Sequence, residues 1–157
     1  MALREIRFFD DESLRKISKQ VDQVDDHIRE ILNDMAETMY NTEIGGGLAA
    51  CQVGILRRLV VIDMGQGLLK LVNPHIVESQ GEHLVIEGCL SCPGVWGKVL
   101  RPQSVRVNAL DENGEAFTIE AADELAKCLC HEIDHLDGIL FIDKVMEYVE
   151  VDAISHT

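Results

Sequence analysis

His131-Glu132-Ile133-Asp134-His135 is the stretch of this chain whose residue types and spacing most directly imply chemistry. Histidines four apart on an α-helix turning by about 100° per residue lie one above the other on one face, and two imidazoles so placed can hold one metal ion. Glu132 projects about 100° round from His131 and can reach a water beside that ion without being a ligand. That is the arrangement of a metal-assisted hydrolase. The competing reading is a chance pair of surface histidines. It is weakened by the glutamate between them and by the apolar stripe of Leu125, Leu129, Ile133 and Leu136 beside them, which puts the pair at the edge of a core.

Two histidines need at least one more protein ligand. Cys89 and Cys92, in Glu87-Gly88-Cys89-Leu90-Ser91-Cys92-Pro93, are the candidates. Both together would make a closed Cys2His2 site, whereas one cysteine leaves a position for water, as catalysis requires. A zinc finger places its two halves about a dozen residues apart, much closer than Cys92 and His131, and a redox C-x-x-C lacks its βαβ setting here. On the helical wheel Cys128 lies about 60° from His131, towards His135, and can line a pocket; Cys130 points about 100° the other way and is discounted as a ligand. Both are more often simply small hydrophobes. The run Gly45-Gly46-Gly47-Leu48-Ala49-Ala50-Cys51-Gln52 lacks the lysine and hydroxyl residue of a phosphate loop. Its glycines permit close approach of a peptide backbone, and the Gln52 amide can donate into a site.

These groups need elements to position them. After the cap candidates Asp25 and Asp26, residues Ile28, Ile31, Leu32, Met35 and Met39 recur at the helical period and predict a core helix of about four turns. Residues 11–20 allow a short helix. Leu59 to Asp63 and Leu69 to Asn73 read as one hairpin, Ile76 to Glu78 and Leu84 to Ile86 as a second around Gln80-Gly81-Glu82, and Val105 to Ala109 with Phe117 to Ile119 as a third. The last helix runs from about Ala122 to Asp137, with Gly138 as its stop. The expected fold is α+β: antiparallel strands and hairpins packed around the C-terminal metal-motif helix, with an N-terminal core helix. One domain spans 1–157, with a short acidic tail from about residue 144.

Composition narrows the function classes. The chain has 157 residues, 46% hydrophobic and 27% charged, as in a soluble globular domain. Its formal net charge of −14 opposes a phosphate backbone, so nucleic acid is not an expected partner. No run reaches transmembrane length and the first ten residues lack a signal-peptide core, so no membrane partner is expected. Five scattered cysteines fit a reducing cytoplasm better than a disulfide framework.

Three separated motifs together resemble the peptide deformylase family, whose members remove the formyl group from N-formylmethionine on new bacterial polypeptides. Gly45 to Gln52 is similar to G-x-G-L-A-A-x-Q, Glu87 to Ser91 to E-G-C-L-S, and His131 to His135 to H-E-x-D-H. The resemblance implies that Cys89, His131 and His135 hold one divalent metal, natively iron(II), with zinc, nickel or cobalt able to occupy the site. It implies Glu132 as general base and acid, with the Gln52 side chain and the Leu90 N–H on the oxyanion. It further implies that the substrate backbone pairs near Gly46 and Gly47, that the methionine side chain enters a pocket near Cys128, and that Glu87 pairs with Arg101. The implied substrates are nascent N-formylmethionyl chains, in transient proximity to the ribosome. Cys130, where many members have Gln, and Gly46, where a bulky residue is frequent, depart from the pattern, with consequences for pocket shape only. The acidic tail, with Glu147, Glu150 and Asp152, is unlike the basic ribosome-docking helix of some members. Two alternatives stay open: a zincin-type endopeptidase using Glu147 or Glu150 as third ligand, and a non-catalytic Cys2His2 module.

Overall fold

The computed structural model describes residues 2–42 and 46–150. Gly45 of the glycine run and Asp152 of the tail lie outside them. The first helix, α1, spans Asp26–Tyr40; Asp25 caps it by accepting the Ile28 N–H at 3.0 Å. Its buried face carries Ile28, Ile31, Leu32, Met35 and Met39, the residues whose period predicts it. Residues 11–20 supply only a single 3-10 turn, Glu12–Arg15.

The strands are β1 (Gly47–Ala49), β2 (Leu59–Ile62), β3 (Leu69–Gln80), β4 (His83–Cys89), β5 (Cys92–Arg101), β6 (Ser104–Leu110), β7 (Ala116–Ala122) and β8 (Val145–Tyr148), with α2 (Asp123–Leu136) between β7 and β8. They form two antiparallel sheets, ordered β1-β2-β3-β6-β7 and β4-β5-β8. The hairpins β2–β3 and β6–β7 match the sequence pattern. The second expected hairpin does not form. Ile76 to Glu78 is the far half of β3, which pairs with β6, while β4 pairs with β5 in the other sheet. β2 pairs only with Leu69 to Val72 of β3, and β6 takes one edge from Val72 to Gln80, while β4 finds its partner in β5 across the tighter Leu90-Ser91 turn.

β3 passes through Pro74 by means of a bulge. Its register slips between Val72 and His75, and Asn73 adopts a left-handed φ of 53°. The Asn73 amide is held there by the Val21 backbone, accepting its N–H at 2.8 Å and donating to its carbonyl at 2.9 Å. A proline without an N–H is tolerated at such an irregularity. Val145–Tyr148 of the acidic tail forms β8 of the second sheet, with Lys98 opposite Glu147 and Gly97 opposite Tyr148.

The strands β1 and β2 and the start of β3, to Val72, are covered on both faces, whereas β3 from His75 onward is exposed. Leu59 and Val61 pack with Leu32, Met35 and Met39 of α1, whereas Val60 and Ile62 pack with Leu129 and Leu136 of α2. This double burial explains why β2 reads Leu-Val-Val-Ile without alternation. α2 starts with Asp123 and Glu124, favourable at the positive end of a helix dipole. It stops at Gly138, whose φ of 75° and N–H bond to the His135 carbonyl form the C-terminal cap.

Candidate metal centre

Four local structures converge on the face of α2 that carries His131 and His135. The first is the turn between β4 and β5, which ends β4 with Cys89. Ligand atoms of Cys89, His131 and His135 all lie within 4.8 Å of one another, the Cys89 sulfur 3.4 Å from His135 Nε2. Among the described residues this is the group of His, Cys, Asp and Glu side chains so arranged. Cys92 and Cys130 are buried nearby but outside it. Glu147 faces away, paired with Lys98 on the outer strand β8.

Behind the trio lies a buried ionic chain. Glu87 Oε1 is 2.7 Å from His131 Nδ1, and the Glu87 carboxylate accepts Arg101 hydrogen bonds at 2.5 and 2.9 Å. Arg101 also donates to Asp134 at 2.6 Å, and Lys144 lies 3.1 Å from the same carboxylate. A carboxylate on Nδ1 fixes the imidazole tautomer and turns Nε2 towards the trio. Burial alone would raise the Glu87 carboxyl, but the Arg101 and His131 hydrogen bonds more than offset it and hold it at about 2.

The second structure is the turn after β1, where Gln52 is fully enclosed. Its Oε1 accepts the Ala49 N–H at 2.9 Å, which leaves Nε2 to donate to Ser91 Oγ at 3.1 Å and towards Cys89 Sγ at 3.5 Å. The amide orientation therefore follows from the backbone bond. The third is β1 itself. A Cβ on Gly47 would sit 2.8 Å from Glu132 Oε2 and 3.0 Å from Cys128 Sγ, so only glycine lets this strand lie against the glutamate. At Gly46 the space of a side chain is taken by the Met64 sulfur, which would lie 2.8 Å from a Cβ there. The fourth is the N-terminal segment, which ties the site turns together: the Arg7 N–H bonds the Gln52 carbonyl and the Phe9 N–H bonds the Ser91 carbonyl.

Glu132 is 5% exposed, and its Oε1 has no hydrogen-bond partner. Burial raises its carboxyl to about 7, with His131 pulling the other way. Burial also lowers His135 well below an ordinary imidazole, favouring the neutral form that binds metal. A cavity of about 180 Å³ opens over Cys89, His131 and Glu132; its walls include Gly46, Gly47, Gln52, Leu90 and Cys128. Sequence reasoning did not find Met64, Trp96 and Lys127 in that wall, nor Ser91 as the partner of Gln52. Only Ser91 carried a signal, from its place in the cysteine motif. One thiolate and two imidazoles suit a borderline divalent cation, and the Glu132 carboxylate, with a buried oxygen that has no partner, lines the same cavity as Cys89 and His131, so the residues would fit a catalytic metal.

The sequence model of the polypeptide deformylase family matches residues 3–150. The chain belongs to that family. Peptide deformylase 2 of Clostridium acetobutylicum is 59% identical over 150 residues, covering 96% of this chain and 100% of that protein. The peptide deformylase structure from Legionella pneumophila superposes with a TM-score of 0.88 at 46% identity, covering 92% of this chain and 86% of the other. A peptide deformylase from Synechococcus elongatus, solved in complex with actinonin, gives 0.89 at 42%, covering 92% and 79%. The deformylase activity of this chain is the metal-dependent removal of formyl groups from N-formylmethionyl peptides. No helix among the described residues is long and apolar enough to cross a membrane.

Proposed function

We propose that Cys89, His131 and His135 hold a single divalent ion, natively iron(II) and replaceable by zinc, nickel or cobalt, and that Glu132, Gln52 and Leu90 act on the formyl group beside it. What carries this reading is the grouping of Cys89, His131 and His135, two of which line one cavity together with the unpaired Glu132 carboxylate. When bound, the ion supplies Lewis acidity, acidifying a water towards a pKa of ~7 and polarising the formyl carbonyl. Glu132 takes the water proton as the formyl carbon is attacked, and its raised proton affinity suits it to hand that proton to the departing amine. Formate and a free amino terminus result. Gln52 Nε2–H and the Leu90 N–H stabilise the negative charge on the formyl oxygen, Gln52 exchanging its long contact to the Cys89 sulfur for that bond.

The substrate backbone lies along Gly46 and Gly47, where β1 is an edge strand with an unpaired side. The methionine side chain enters the cavity beside Cys128. The substrates are nascent chains, met in the cytoplasm in transient proximity to the ribosome. The zincin reading finds no support from Glu147, which the Lys98 pair holds on β8. The closed Cys2His2 reading lacks Cys92 in the ligand group.

The test is formate release from a formyl-Met peptide by protein purified without oxygen and loaded with iron(II), with the unformylated peptide alongside. Release from the formylated peptide alone is expected; stoichiometric metal without release would overturn the reading. Glu132→Ala should still bind one ion and lose about 10²–10⁴ in turnover, and near-normal turnover would remove the role given to Glu132. In air the iron form should fail while the nickel or cobalt form persists, because a thiolate beside an open iron position is readily oxidised. Equal aerobic half-lives would count against iron.

A further inference from the structure

Cys92 has no part in the chemistry above, yet its place is specific. Cys89 and Cys92 are register partners across the turn joining β4 to β5. Residues opposed in an antiparallel ladder point to the same face with Cα atoms about 4.5–5.5 Å apart, within the separation of about 4.4–6.8 Å that a disulfide spans. Both are buried, but Cys89, 8% exposed, lines the reaction cavity with His131 and Glu132, and Cys92, 2% exposed, lines a second cavity with Phe9, Trp96 and Tyr148. Cys51, Cys128 and Cys130 are buried too, but none is a ladder partner of Cys89.

We infer that Cys89 and Cys92 form an oxidisable dithiol, a reversible modification site for hydroperoxides in which Cys92 is the resolving thiol. With hydrogen peroxide, the Cys89 thiolate attacks one oxygen: an S–O bond forms, the O–O bond breaks, the sulfur gives up two electrons, and the second oxygen leaves as water after taking a proton. The resulting sulfenic acid is attacked by the Cys92 sulfur. An S–S bond forms, the S–O bond breaks, and the departing hydroxide takes the Cys92 proton as water. Two thiols and one peroxide thus give one disulfide and two waters. The disulfide has no thiolate to offer a metal, so oxidation ejects the ion while keeping Cys89 from the irreversible sulfinic and sulfonic acids. The consequence for the ion rests on the ligand role proposed for Cys89; the dithiol itself does not.

The test treats the metal-loaded protein with hydrogen peroxide and follows intact mass, alkylatable thiols and chelator-detected metal. The expected product is lighter by about 2 Da, with its bridge mapped to Cys89 and Cys92, and dithiothreitol restores both thiols and metal uptake. In Cys92→Ser the same treatment should add about 32 or 48 Da at Cys89, which dithiothreitol does not remove. Oxygen added to Cys89 of the unsubstituted protein while Cys92 stays free, or a bridge mapped to other cysteines, would overturn the proposal, and neither observation depends on the variant folding. A Cys89–Cys92 bridge formed with the ion retained would uphold the dithiol and strike Cys89 from the ligand set instead.

Discussion

The two faces of the β1–β2–β3 region are made of different materials. The α1 side is aliphatic and methionine-rich and contains no cysteine. The α2 side holds all five cysteines and adjoins the buried charges of Glu87, Arg101, His131 and Glu132. Buried charges cost solvation that their mutual attraction only partly returns, so they are weak builders of stability. Apolar burial contributes it more directly. The difference separates two tasks: α1 clamps the sheet, and α2 spends some of that stability on holding reactive groups where water would otherwise surround them.

This division can be attacked at its most demanding point. Arg101→Ala would leave Glu87 and Asp134 without their shared cation, and breaking a buried pair in this way costs about 3–5 kcal/mol. Metal affinity should also fall about 10–100-fold as His131 loses its oriented partner. Urea titration of the metal-free protein and an ion titration read the two effects separately, and an unchanged urea midpoint would deny the network its energetic weight. The same network predicts acid sensitivity. The Glu87 carboxyl sits at about 2 in the folded protein against 4.5 for an ordinary glutamate, so its stabilisation is present above about pH 4.5 and is lost as the pH falls towards 2. Glu87→Gln should flatten that part of the pH–stability curve.

Met35→Ala probes the other face. It removes a fully buried side chain under α1 and should cost about 2–5 kcal/mol, with kcat/KM unchanged at temperatures where the variant is folded. A fall in kcat/KM would show that the two faces are not separable. The smallest effect sets the baseline. Arg106 lies exposed between Glu78 and Glu120, and Arg106→Ala should move stability by less than about 1 kcal/mol.

Much of this was legible in the sequence wherever the signal is local. The period of Ile28 to Met39, the cap at Asp25 and the stop at Gly138 each depend on neighbours within a turn or two. Strand partnership is not local. Gln80-Gly81-Glu82 has the composition of a hairpin turn whether the chain returns to its own sheet or leaves for another, and the outcome depends on β6, which comes later. β5 was hidden because Cys92, Pro93 and Gly94 do not alternate like a strand, and β8 because its acidic residues read as a tail. At the site, the helical spacing of His131 and His135 named two of the groups that come together, while Cys89 was separated from Cys92 only by the family resemblance. The Ser91–Gln52 and Arg101–Asp134 contacts could not be read, since each joins elements whose approach is a property of the whole fold.

The double burial of β2 also bears on motion. All four of its side chains are fully enclosed and both of its edges are paired, so its amide hydrogens should exchange with solvent only through global opening. β4 is an edge strand of the smaller sheet, and its outward residues Leu84 and Ile86 are exposed. Its amides should exchange by local fluctuation. On the ligand set proposed above, Cys89 stands at the end of that edge strand and both histidines on a helix packed against β2, so release of the ion to a chelator should track local opening of β4 rather than global unfolding.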